Sequence, residues 1–253
     1  MNSVLCYSAV VSEWEFWMTS LEGGGNAIIL LLTAMVVAAA VLGAIIAFRR
    51  KRRTTARNLA IGAALVALVY AGGVAVASAT SQERVLGPGE TKWFCGFYID
   101  CHLGVSVQRS ETASAVTGPA GRLTAGGRFH IITLRLHNSA KNPSLDMMMY
   151  RPRVEIVDAA GKRYRRSQAA ESAFAADRRP APLAVETRVP QEPVDATVVF
   201  DLPADIRSPR LSISEGWIVD RIIELGLVND ENSILHKRTY IALDSNDLRA
   251  AMR

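Results

Sequence analysis

Residues 128–138 read RFHIITLRLHN, and their pattern decides the fold class of the C-terminal half. Apolar and polar side chains alternate, so Ile132, Leu134 and Leu136 share one face of an extended chain. His130 has the same parity, which makes it a core or rim histidine. The same period recurs on both sides. HLGVSVQR puts Leu103, Val105 and Val107 on one face, and VDATVVFDLP turns Val198, Phe200 and Leu202 inward. RPRVEIVDAAGKRYRR is a hairpin with its turn at Asp158–Gly161. LSIS, WIVDRIIELGL and HKRTYIAL complete seven to nine short strands separated by Gly, Pro, Asn and Asp. That spacing predicts an antiparallel β-sandwich over residues 93–253. The Ala-rich then Pro-rich SQAAESAFAADRRPAP reads as a long loop with a helical turn or two.

Upstream the chain changes character. Residues 26–48 and 59–79 are two uncharged apolar runs. At about 1.5 Å per helical residue, each reaches across a hydrocarbon core of about 30 Å. Two transmembrane helices are therefore expected. The loop 49–58 between them carries Arg49, Arg50, Lys51, Arg52, Arg53 and Arg57 and no acidic residue, whereas residues 1–25 carry three glutamates and no basic residue. Short basic loops stay in the cytoplasm, so both chain ends are expected outside. A rival reading takes Ala77-Ser78-Ala79 as a signal-peptide cleavage site, which releases a secreted soluble sandwich after Ala79. In both readings the β-domain is extracytoplasmic. Residues 1–25 form a short external segment and 80–92 a tether. Gly62, Ala63, Gly72 and Gly73 permit close packing of the second span.

With the basic loop set aside, the remaining basic and acidic residues nearly balance. The sequence pI near 9.3 therefore does not mark a polyanion-seeking domain, and nucleic acid is not expected as a partner. The expected partners are the lipid bilayer and another envelope protein or a cell-wall component. Arg151, Arg153, Lys162, Arg163, Arg165 and Arg166 cluster on the hairpin as a candidate anionic-surface patch.

An alternating strand ending in Asn-Ser (RFHIITLRLHNS), the hairpin DAAGKRY and the strand PQEPVDATVVFDLP follow in order. This succession resembles the telokin-like, immunoglobulin-type domains of unknown function found on bacterial lipoproteins and membrane proteins. The resemblance covers residues 90–243. It implies an extracytoplasmic immunoglobulin-like sandwich and no assigned activity. The two spans and the segment WFCGFYIDCH (93–102) depart from it.

In an oxidising compartment Cys95 and Cys101 are expected to form a disulfide. The chain must fold back between them, because bridged Cα atoms lie within about 7 Å. The alternatives are free thiols or a metal site built from Cys95, Cys101 and His102, with Met147, Met148 and Met149 as soft side chains that could approach it. If residues 101–107 form one strand, Cys101 and His102 point to opposite faces, which opposes a shared metal. The membrane layout is that of cytochrome oxidase subunit II, but that family's late Cys-Cys-His-Met motif has no counterpart here. The G-x-S-x-G, P-loop and H-E-x-x-H motifs are also missing from the sequence. A non-enzyme with no cofactor is expected.

Overall fold

A computed structural model of the chain describes residues 28–94, 102–118, 121–142, 144–177, 180–214, 222–228 and 231–243. It divides into two compact units. The first holds two long helices, α1 (Ile28–Arg49) and α2 (Arg53–Thr80), together with the downstream segment 219–237. Only Arg50, Lys51 and Arg52 separate the helices, and Lys51 turns the chain with φ 60°. The basic loop is thus shorter than residues 49–58, because Arg53 and Arg57 lie inside α2. Composition marks where the apolar run ends, whereas the helix continues as long as its hydrogen-bond ladder does. The helices meet along small residues. Ala47, Ala56 and Ala63 are buried, and a Cβ built on Gly43 would lie 3.3 Å from Leu59 Cδ1. Gly62, Gly72 and Gly73 instead face open space.

Large apolar side chains cover the outside of both helices, with Leu68 67% and Val69 75% exposed. A helix that is apolar all round belongs in a core or a bilayer. Among the described residues nothing covers that surface.

The second unit is a β-sandwich. One sheet has the order β1 (Arg84–Leu86), β11 (Thr239–Ala242), β10 (Arg210–Ser214), β6 (Arg153–Val157) and β7 (Arg163–Arg165). The other runs β2 (Thr91–Phe94), β3 (Leu103–Gly118), β4 (Gly121–Asn138) and β9 (Val194–Leu202). A short ribbon pairs β5 (Met147–Tyr150) with β8 (Glu186–Val189). Pairing is antiparallel except that β1 runs parallel to β11, which ties the first strand of the sandwich to the last.

Between the sheets lies one core. Val105, Ile132, Leu134, Leu136, Ile156, Val198, Phe200, Leu211 and Ile241 are all shut off from solvent, and Leu103, Val107 and Leu202 join them. These include all nine inward residues expected from β3, β4 and β9. Met149 is also fully buried in this core and Met147 packs against it, so two of the three consecutive methionines serve packing.

The short motifs behind the resemblance have local physical roles. Asp158 Oδ1 accepts from the amides of Ala160 and Lys162, and Tyr164 donates its hydroxyl to Oδ2. Gly161 takes φ +80°, a conformation most side chains avoid, and Lys162 Nζ lies 5.0 Å from the Tyr164 ring centre. Asn138 is buried and satisfied. Its amide donates to Leu145 O and Val189 O, and its carbonyl accepts from Ala140 N. Asp201, in VFDLP, accepts from the amides of Gly126 and Gly127 where the β3–β4 register breaks.

Two expectations need correction. The Ala-rich stretch forms α3 (Gln168–Asp177), which packs Ala170 and Phe174 onto Phe129, Ile131 and Val199 on the outer side of the β4–β9 pair. Alanine's high helix propensity and this apolar landing site together favour helix over loop. The supposed strand WIVDRIIELGL contributes no described strand. Residues 222–224 form a helical turn, 225–228 are turns, and both belong to the helical unit. Residues 217–221 of that stretch lie outside the described residues.

Candidate functional site

The outer face of the β2–β3–β4–β9 sheet gathers polar and aromatic side chains that its strand register brings together. Trp93, Gly104 and His137 form one row across β2, β3 and β4. Thr91, Ser106, Arg135 and Asp195 form the next row and reach β9. A Cβ on Gly104 would sit 2.8 Å from two atoms of the Trp93 ring, so only glycine lets the indole lie across β3 toward His137. The Trp93 and His137 ring centres are 6.3 Å apart, tilted by 50°.

A hydrogen-bond chain joins the rows. Ser106 Oγ lies 2.9 Å from His137 Nε2, and Gln108 Nε2 donates to Ser106 Oγ at 3.1 Å. Arg135 and Asp195 pair through two hydrogen bonds of 2.8 and 3.1 Å across β4 and β9. Burial, then the charge of Arg135, holds the His137 imidazole below its ordinary pKa, against a smaller opposing pull from Asp195. It is therefore neutral at physiological pH. Burial, then Arg128, does the same to His130.

A serine beside a neutral histidine is half of a nucleophile pair. Here Ser106 is only 1% exposed, and the nearby Asp195 is engaged by Arg135. The arrangement can offer a flat aromatic ring, an amide and a paired guanidinium to a partner. It does not offer an accessible activated hydroxyl.

The depressed histidines set a pH dependence. A lowered folded-state pKa gives stability that is fully present above the unfolded value of about 6.5 and is lost as pH falls through the folded value. The resistance of the sandwich to urea, measured in the full chain, should therefore fall on acidification from about pH 7 to about pH 5. His137→Gln should flatten part of that slope, and an unchanged slope would contradict the assignment.

Of the six basic hairpin residues, Arg166 leaves the exposed set. Arg166 turns inward to a bidentate bond with Glu171 and also donates to Leu183 O. Arg163 pairs with Glu155, and Lys162 lies over Tyr164. Arg151, Arg153, Lys162, Arg163 and Arg165 are all exposed. Cys95 and Cys101 lie outside the described residues, so the disulfide and the metal alternative both fall there in part. His102 is buried, with Nδ1 3.1 Å from Ser139 Oγ, and β3 begins after it at Leu103. The parity objection to a shared metal therefore does not arise. Among the described residues there is no group of three His, Cys, Asp or Glu side chains that could hold a metal. His236 Nδ1 lies 2.6 Å from Lys237 O, on the surface.

No family model matches the chain, and no curated protein matches it. Two solved structures are similar. A conserved hypothetical protein from Bacillus anthracis is 16% identical, with 44% of this chain and 82% of that chain covered and a TM-score of 0.36. An uncharacterised β-sandwich protein from Clostridium difficile is 11% identical, with 65% and 96% covered and a TM-score of 0.34.

Proposed function

We propose that the chain is a membrane-anchored, non-catalytic module of the bacterial cell envelope. Its helix hairpin crosses the bilayer with the basic turn in the cytoplasm, and an immunoglobulin-like sandwich is displayed outside. The observation that carries this reading is the pair of antiparallel helices, apolar on their outer surfaces and joined by Arg50-Lys51-Arg52. In water such surfaces would have to be covered, and in lipid they are matched. The basic turn orients the hairpin. Retention rather than cleavage is supported by Ser78, which is fully buried inside α2 and bonded to Ser233. Only residues 81–83 separate α2 from β1. The working surface of the sandwich is the Trp93–His137–Arg135 face, which suits another envelope protein or a cell-wall component better than a reacting substrate.

In the same reading, Cys95 and Cys101 are joined by a disulfide. The pairing of Phe94 with Leu103 supports it, because the ends of the intervening segment are thereby brought together. Thiol alkylation of the full chain, purified from membranes without reductant, tests compartment and bridge at once. With three cysteines in the chain, one label before reduction and three after is expected, the first on Cys6. Three labels before reduction would contradict an oxidised, extracytoplasmic location.

A further inference from the structure

Between β10 and β11 the chain passes through the helical unit, and there several large apolar side chains face outward. Ile222, Leu225, Ile234 and Leu235 are 65%, 44%, 59% and 69% exposed. Glu224, Leu227 and Ser233 in the same stretch are buried. In water the exposure of these four apolar side chains is unfavourable. Against hydrocarbon that sign reverses, and the buried polar groups are kept from lipid.

Three contacts fix where the stretch lies along α2. Tyr70 donates its hydroxyl to Gly226 O at 2.7 Å, Ser78 Oγ lies 2.9 Å from Ser233 Oγ, and Lys237 N donates to Ser81 Oγ at 2.8 Å. The three contacts are therefore spread along α2 from Tyr70 to its C-terminal end, about 16 Å of helix. The lower contact is well inside the apolar run 59–79, and Leu30, near the start of α1, approaches Gly226 there as well. The upper contact lies just past the end of α2.

Non-helical backbone is tolerated at membrane depth only where its polar groups are satisfied. Here Gly226 O takes the tyrosine hydroxyl, Gly226 N donates to Ile223 O, and Leu227 N donates to Glu224 O. We propose that residues 222–228 and 231–237 form a re-entrant strap immersed in the outer half of the bilayer. Ile222, Leu225, Ile234 and Leu235 contact lipid, and the strap pins the β10–β11 connection to the hairpin. This rests on the reading of α1 and α2 as membrane spans.

The test places a photoreactive benzophenone side chain, one position at a time, at Ile222, Leu225 or Leu235 of the full chain in nanodiscs of phosphatidylglycerol and phosphatidylethanolamine. Leu68 serves as the span reference, and Val185, an exposed apolar residue of the sandwich at 65%, as the aqueous one. Lipid adducts at 222, 225 and 235 should approach the Leu68 level and exceed Val185 at least fivefold. Adducts at Leu68 with only the Val185 level at 222 and 225 would overturn the strap and leave the spans standing. An absence of adducts at Leu68 as well would overturn both. Adducts to protein in place of lipid at 222 and 225 would also overturn the strap.

Discussion

Replacing Glu171 by alanine is expected to destabilise the sandwich by about 3–5 kcal/mol, the usual consequence of removing one partner from a buried ion pair. Glu171 is 4% exposed and receives three bonds, from Arg166 Nε at 2.7 Å, Arg166 Nη2 at 2.8 Å and Val199 N at 3.0 Å. Its loss strands the Arg166 guanidinium and orphans an amide of β9. It also loosens α3, which shields the outer side of the β4–β9 pair. In the full chain, amide exchange along β9 should accelerate by at least about a hundredfold, since each 1.4 kcal/mol is a factor of ten. Glu171→Gln keeps an acceptor and should lose less. The double variant Arg166→Met/Glu171→Leu removes both charges and should recover most of the protection. Little change in the alanine variant would mean that the pair does not hold α3 in place.

Neutralising the turn should have the largest effect on topology. Replacement of Arg49, Arg50, Lys51, Arg52, Arg53 and Arg57 by glutamine removes all the positive charge of the first 80 residues. Without that bias the hairpin loses its preferred orientation, and about half of the chains should insert inverted. The sandwich lysines Lys141 and Lys162 report this through an impermeant amine reagent on spheroplasts. Their labelling should fall toward half of that in the unaltered chain. Unchanged labelling would show that other features set the orientation.

What could be read in advance follows from periodicity. The inward residues of β3, β4 and β9 were legible because alternation over five or more residues has one physical interpretation. The Asp158 turn was legible because Asp and Gly at that spacing suit a tight hairpin. The outer face was not. Trp93, Ser106 and His137 are neighbours through register, and register between distant strands has no local signature. Arg166 was read with the other hairpin basics because nothing around it in sequence announces Glu171 as a buried partner. The described part of WIVDRIIELGL, residues 222–227, differs from the expected strand because a short apolar stretch has the same composition whether it faces a sheet core or lies beside a long helix. Only the placement of Glu224 inward and Leu225 outward separates the two.

The central claim is tested most directly by differential lysine labelling of the unaltered full chain. Its five lysines include Lys51 in the turn between the helices and the exposed Lys141 and Lys162 in the sandwich. An impermeant amine reagent applied to intact spheroplasts, with site assignment by mass spectrometry, should modify Lys141 and Lys162. It should reach Lys51 only after permeabilisation. Modification of Lys51 in intact spheroplasts, with Lys141 and Lys162 protected until lysis, would contradict the topology on which the proposed function rests.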